Sequence, residues 1–227
     1  MALVWNEESC HEKQAMSTVP SPIPSHAAPA QVVPAGAPAA TLPFADPAAL
    51  GLGAFALTTF VLSVVNAGII PKLDEPVVLG LALFYGGAAQ FAAGIWEFAN
   101  RNTFGATAFC SYGAFWLSFW FLVQFRAAAL PPADAGKGIG LYLLAWAIFT
   151  AYMSVAASRV STAVFAVFIF LTLTFIALAI GAFTGSDSLT VVGGWLGIVT
   201  ALLAWYASLA VVTNSTFKRS VIPVGTR

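Results

Sequence analysis

Residues Phe84–Trp116 read FYGGAAQFAAGIWEFANRNTFGATAFCSYGAFW, with Glu97 and Arg101 as the only formal charges. The stretch divides at Asn100–Asn102 (NRN) into two apolar halves. Extended outward to the next charged positions, these halves become the runs Val77–Ala99 and Phe104–Phe125. One helical crossing of a bilayer takes about 20 apolar residues, so each run suffices for one. In hydrocarbon every backbone group must bond within its own segment, which selects helix over isolated strand. Four more runs have the same character: Leu50–Ile70, Gly138–Ala157, Thr162–Phe183 and Thr190–Thr213. Across all six, Glu97 is the one formal charge. The expected fold is an all-α integral membrane protein, a six-transmembrane-helix bundle whose short connectors make antiparallel neighbours.

Composition supports this reading. Of 227 residues, 59% are hydrophobic and 8% charged, against roughly 45–50% and 25% in soluble domains. Nine basic and nine acidic side chains cannot solvate a globule of 23.7 kDa. A soluble enzyme, a nucleic-acid binder and a disordered regulator are excluded, and zero net charge gives no pull toward DNA or anionic lipid. Cys10 in a polar tail and Cys110 in an apolar run make no disulfide scaffold.

Residues 1–45 hold seven of the thirteen prolines and no sustained period, as expected of a disordered cytoplasmic tail. They lack the basic start and apolar centre of a secretory signal. The expected organisation is this tail, a six-helix transmembrane domain over 46–217 and a cytoplasmic C-terminal tail over 218–227. The face carrying both termini holds Lys13, Arg101, Arg159, Lys218, Arg219 and Arg227; the other holds Lys72, Arg126 and Lys137. The positive-inside rule places both termini in the cytoplasm, with a multi-pass protein in the plasma membrane.

Helix spacing picks out the interior. Phe55, Thr59, Leu62 and Asn66 share one face of the first span. Asn66 must meet either a neighbouring helix or a wet pathway, because an unpaired amide in hydrocarbon is costly. Leu83, Gly87, Gln90, Gly94 and Glu97 recur at intervals of 4, 3, 4 and 3 in the second span. Small residues there permit close approach, and polar ones must face protein or water. Glu97 has two readings: an intramembrane functional carboxylate, or an interfacial one paired with Arg101 at i,i+4 spacing. In the third span Ser111, Tyr112, Phe115 and Ser118 fall on one broad face, with Tyr112 at mid-crossing. Trp116, Trp120, Trp195 and Trp205 read as lipid anchors or packing. In the last span Gly197, Ala201, Ala204 and Ser208 make a small-residue seam, and Gly193–Gly197 a GxxxG pair that signals close packing. Asp46 and Pro47 suit a helix start.

Several chemistries lack their residues. Both histidines, His11 and His26, lie in the tail, and no phosphate-cradling loop, metal-ligand cluster or base beside Ser111 or Ser118 is present. Neither a cofactor nor a metal is expected, and the chain does not read as an enzyme. What remains is a small bundle with a polar, glycine-lined, aromatic-punctuated interior, suited to passing a small solute.

The stretches DPAALGLGAFALTT (Asp46–Thr59), Phe84–Trp116 and GWLG (Gly194–Gly197) resemble the acetate uptake transporter family, the succinate–acetate permeases and their fungal relatives. The resemblance covers essentially Asp46–Gly225. It implies a homo-hexamer of six-helix protomers, each with its own pore, and acetate, with succinate or other short carboxylates in some members, as substrate. It maps an aromatic–leucine–tyrosine constriction onto Phe55, Leu171 and Tyr112, and a residue that tunes substrate size onto Ala204. The family's amide and carboxylate in the second span match Gln90 and Glu97. The family's opening Asn-Pro-Ala-Pro is here Asp46-Pro-Ala-Ala49. An ionised Asp46 at an anion entrance would repel substrate within a Debye length of about 8–10 Å, so it is expected to be engaged in capping the helix.

The expected mechanism passes a short monocarboxylate along Thr59, Asn66 and Gln90 and through an apolar neck of Phe55, Tyr112 and Leu171. A proton can travel with it, exchanged at Glu97. Competing readings are a passive channel for ammonia or urea, and a membrane sensor whose tail recruits a partner.

Overall fold

The computed structural model describes residues 44–126, 129 and 131–225. The tail assigned to 1–45, with Cys10 and both histidines, lies almost wholly outside the described residues. Among the described residues, six helical stretches are long and apolar enough to cross a membrane, as the charge gaps predicted. They comprise α1 (Ala48–Asn66), α2 (Pro76–Leu83) continuing into α3 (Gln90–Ala99), α4 (Thr103–Phe121), α5 (Pro132–Ala157), α6 (Thr162–Thr184) and α7 (Asp187–Phe217).

Helix ends follow local chemistry rather than the limits of apolarity. α1 stops at Asn66, short of the expected Ile70, because Gly68 turns left-handed at φ +72° and Pro71 follows two residues after Ile69. The N–H of Ile69 then donates to Val64 O at 3.2 Å, closing the turn as in a Schellman motif. α7 begins three residues earlier than the apolar run, since Ser186 Oγ accepts from the Leu189 N–H. It also extends four residues beyond Thr213. α6 is bounded by Ser161, which accepts from the Val164 N–H at 3.1 Å, and by left-handed Gly185. Between α3 and α4 the left-handed position falls on Arg101, φ +57°.

The second crossing carries an unexpected feature. Phe84–Ala89 forms a π-helical turn between α2 and α3. Such turns insert a residue into the helix and shift the faces on either side. Leu83, placed by spacing on the face of Gln90, lies on the other side of that insertion and lines neither interior cavity.

The antiparallel-neighbour expectation holds for α3 with α4, α5 with α6 and α6 with α7, whereas α4 and α5 meet through long side chains, such as Tyr112 with Thr150 and Phe115 with Trp146, rather than by close backbone approach. α1 packs chiefly on α7, closing the bundle between its first and last crossings. Small residues allow this. A methyl group on Gly194 would meet the Ala67 backbone nitrogen and lie 2.6 Å from Ala67 Cα, and one on Gly197 would meet Ser63 Oγ. Ser208 Oγ donates to Ala49 O at 2.7 Å across the same seam. The glycine pair of the last span therefore packs helices, with Gly193 against Leu178 of α6.

Residues 218–225 fold back onto the bundle. Asn214 Oδ1 accepts from the N–H groups of Val221 (2.7 Å) and Ile222 (2.9 Å). The Thr162 and Ala163 N–H groups donate to the Gly225 and Val224 carbonyls at 2.9 and 3.1 Å, satisfying donors in the first turn of α6.

Candidate functional site

Two cavities lie inside the helices. The larger, about 260 Å³, takes its walls from Phe55, Thr59, Asn66, Glu75, Trp116 and Leu171 among others. The smaller, about 80 Å³, is bounded by Phe55, Gln90, Glu97, Asn102, Tyr112 and Leu171 among others. Phe55 and Leu171 belong to both walls, so the cavities meet at these two side chains. The lining of the smaller one includes Glu97 and Asn102 at the α3–α4 turn, and that of the larger includes Glu75 at the α1–α2 connector.

The three residues assigned to the constriction come together at this junction. Phe55, Tyr112 and Leu171 are 5%, 3% and 4% exposed, and the Phe55 and Tyr112 ring centroids are 5.6 Å apart. Tyr112 also packs on Phe149 at 5.5 Å and Phe168 at 6.0 Å. Its hydroxyl lies 2.9 Å from Thr150 Oγ1, which itself donates to Trp146 O at 2.7 Å. Thr150 has one proton and gives it to that carbonyl, so the Tyr112 O–H donates to Thr150. The tyrosine therefore packs its ring against Phe55 and commits its proton to α5, so what it offers beside Phe55 and Leu171 is apolar surface although it carries a hydroxyl.

On the smaller side, Gln90 is 1% exposed and both amide atoms lack a hydrogen-bond partner. Glu97, two turns along the same helix face, is likewise 1% exposed. Its Oε2 accepts from Asn102 Nδ2 at 3.0 Å. Its Oε1 has no partner at normal hydrogen-bond geometry, with the Asn100 side chain close by. The alternative pairing with Arg101 is absent: Arg101 is exposed and forms no ion pair among the described residues. The left-handed turn at Arg101 carries its side chain off the helix register that i,i+4 pairing requires.

The glycines of the same seam have a different task. A methyl on Gly94 would lie 2.5 Å from the Cys110 backbone nitrogen, so Gly94 sets the α3–α4 approach. The seam thus serves two purposes, packing through its glycines and lining a cavity through Gln90 and Glu97.

Thr59 and Asn66 border the larger cavity, and Thr59 Oγ1 is buried without a partner. Asp46 is exposed, borders neither cavity, and accepts from the Ala48 N–H through Oδ1 at 2.9 Å. The aspartate is engaged at the start of α1. Ala204 is fully buried in the α7 core and borders neither cavity.

Sequence reasoning missed several residues. Asn102 both holds Glu97 and caps α4, accepting from the Gly105 N–H at 3.0 Å. Its signal was present, an asparagine immediately before a new apolar run. Gly105 makes room for the carboxylate, because a methyl there would lie 2.8 Å from Glu97 Cδ. Trp116 is no lipid anchor: it is 2% exposed and its indole N–H has no acceptor among the described residues. Trp195, 54% exposed, does face outward. Glu75 stands at the start of α2 without capping it and instead borders the larger cavity. Among the described residues, neither cavity wall includes Lys or Arg.

The chain is 48% identical to Ammonia transport outward protein 2 of Saccharomyces cerevisiae over 172 residues, 73% of this chain and 61% of the yeast protein. It therefore spans about three-fifths of that relative's length. It is 38% identical over 181 residues to the Succinate-acetate/proton symporter SatP of Escherichia coli, covering 80% of this chain and 95% of that one. A solved structure, described as that of the bacterial acetate channel SatP, superposes with a TM-score of 0.75 at 37% identity, covering 80% of this chain and 99% of the other. A family model matches residues 29–226. By that match, which spans the whole described bundle, the chain belongs to the GPR1/FUN34/yaaH family.

Proposed function

We propose that this protein is a membrane permease for acetate and other short-chain carboxylates, with succinate within its range. The observation that carries the reading is the pair of cavities meeting at Phe55 and Leu171, each with unpartnered buried polar atoms and neither with a basic side chain. Polar groups can replace part of a small acid's hydration, while an apolar neck discriminates against larger or strongly hydrated solutes. Without a cation in either wall, a carboxylate is not trapped. The neutral acid crosses such a neck more cheaply than its anion. Glu97, in the wall of the smaller cavity, is the carboxylate placed to exchange that proton. Similarity to a protein named a succinate-acetate/proton symporter supports this reading. The assembly is proposed to be a homo-hexamer in the plasma membrane with both termini cytoplasmic, the orientation resting on the Lys and Arg distribution.

The test is uptake of labelled acetate into proteoliposomes, with propionate and succinate as competitors and an imposed pH gradient. Saturable, competed uptake is expected. Uptake that ignores the gradient and is unchanged in Glu97→Gln overturns proton coupling through this residue. A second reading, passage of ammonia, is favoured by the name of the yeast relative. It requires ammonia-driven pH changes in vesicles that show no saturable acetate uptake.

A further inference from the structure

We infer that Glu75 is a charge filter at the connector end of the larger cavity, admitting monocarboxylates in preference to dicarboxylates. The inference rests on the carboxylate reading above and adds to it a residue that selects by substrate charge. On α1 the lining of the larger cavity extends from Phe55 at the neck to Asn66, the last residue of the helix. Eleven residues of helix rise about 16 Å. The same lining takes in Val123 just beyond α4, Ala182 near the end of α6 and Thr190 near the start of α7. The cavity therefore reaches the ends of four crossings, at the end of the bundle where Glu75 stands between α1 and α2.

Local geometry turns the Glu75 carboxylate to this cavity. The residue immediately precedes α2 with helical backbone angles, yet its side chain accepts no N–H of the first turn. It is half-buried, whereas Lys72, Leu73 and Asp74 before it are exposed. Among the described residues no ion pair engages it. Lys72, the cation within its electrostatic reach, is held by Asp187 Oδ1 at 2.9 Å, and Asp74 adds a further negative charge. The remaining charged groups of this end have other partners. Lys137 pairs with Asp134 at 2.9 Å, and the Arg126 guanidinium lies 5.9 Å from the Phe121 ring centroid. Among the described residues, Glu75 is the one formally charged side chain in the wall of the larger cavity.

The neck selects by size and hydration; a fixed carboxylate selects by charge. Its repulsion is proportional to the charge of the passing anion, so the free-energy penalty doubles from a monoanion to a dianion and the rate factor is squared. At about pH 7.5 acetate carries one charge and succinate two, since carboxyl groups ionise near pH 4. For a single charge passing at about 6 Å in a water-like medium, Coulomb's law gives a factor of about three at low salt, hence about ten for the dianion. A neutral solute is indifferent to the filter.

The experiment measures initial uptake of labelled acetate and labelled succinate by the full chain in proteoliposomes at about pH 7.5. In roughly 10 mM salt, Glu75→Gln should raise kcat/KM about threefold for acetate and about tenfold for succinate, while Glu75→Asp keeps the wild-type succinate-to-acetate ratio. In roughly 1 M potassium chloride, where the Debye length is about 3 Å, both gains should close to within twofold. A merely structural role would change the two substrates alike and persist in high salt, and either result overturns the filter. So does a Glu75→Asp ratio equal to that of Glu75→Gln, or succinate uptake absent from both wild type and Glu75→Gln. Should Glu75→Gln fail to fold, the wild-type protein decides. Its succinate-to-acetate ratio should rise about threefold from low to high salt, and a ratio that does not move overturns the filter. Absence of saturable acetate uptake in the wild-type protein overturns instead the carboxylate reading beneath it.

Discussion

Replacing Gly194 by alanine should destabilise this protein even though alanine is the better helix former. A methyl at Gly194 would be 2.6 Å from Ala67 Cα and 2.6 Å from the Asn66 carbonyl carbon, and would touch the Ala67 backbone nitrogen. Carbon atoms pack at about 3.5–4.0 Å, so α1 and α7 would have to part by roughly 1 Å. These neighbours are backbone and cannot rotate aside. Overpacking of this kind costs about 1–3 kcal/mol, and contact with backbone places the change at the upper end. Against it stands a gain of about 1 kcal/mol for Gly to Ala within a helix. The expected net loss is about 2 kcal/mol, which in a chain of this size lowers Tm by about 4–8 °C. Gly80→Ala is the internal control. Gly80 lies inside α2 with nothing within 4 Å of a new methyl, so it should gain about 1 kcal/mol from propensity alone. The assay is thermal unfolding of purified protein in one detergent, followed by intrinsic fluorescence. Melting of Gly194→Ala at or above wild type, with Gly80→Ala raised as expected, would refute the claim that α1 and α7 meet backbone to backbone.

Asn102→Ala should lose both the α4 cap, about 1 kcal/mol, and the donor to Glu97 Oε2, about 1.5–3 kcal/mol for a charged acceptor. Asn102→Ser should recover the cap alone, and paired melting curves separate the two. Tyr112→Phe should cost about 1 kcal/mol of stability from the lost Thr150 bond while leaving acetate KM unchanged, because the hydroxyl points its proton to α5; an altered KM with intact folding contradicts that orientation. Arg101→Gly should raise stability by about 0.5–1 kcal/mol, since a left-handed residue with a side chain costs about 1–2 kcal/mol and glycine is spared it. A lowered Tm for Arg101→Gly would argue that the arginine makes an interaction worth more than its backbone strain.

Legibility in the sequence was uneven, and for physical reasons. The crossings were readable because the bilayer imposes a length and a charge rule on each segment separately. Helix faces were readable for the same reason: Phe55 with Thr59, and Gln90 with Glu97, are related by spacing within one helix. The π-helical turn at Phe84–Ala89 was not, since a paired glycine in a helical pattern permits such a turn without requiring it. Trp116 was left between lipid anchor and packing, because an aromatic residue in an apolar run fits either, and its burial decides for packing. Asn102 was passed over as connector although its capping signature was present.

What the sequence determined by itself is much of what is local: six apolar helices, most of their polar and small-residue faces, an aspartate at position 46 that accepts at the start of α1, and the shortage of charge. Tertiary structure alone decided which faces meet. It paired α1 with α7 through Gly194 and Gly197, drew Glu97 away from Arg101 toward Asn102, and turned the Tyr112 hydroxyl to Thr150. It also set Phe55 and Leu171 as the boundary between two cavities. Spacing along one helix fixes direction about that helix's own axis. Whether a buried amide or indole finds a partner depends on the helix opposite, and that is settled only when all six crossings pack together.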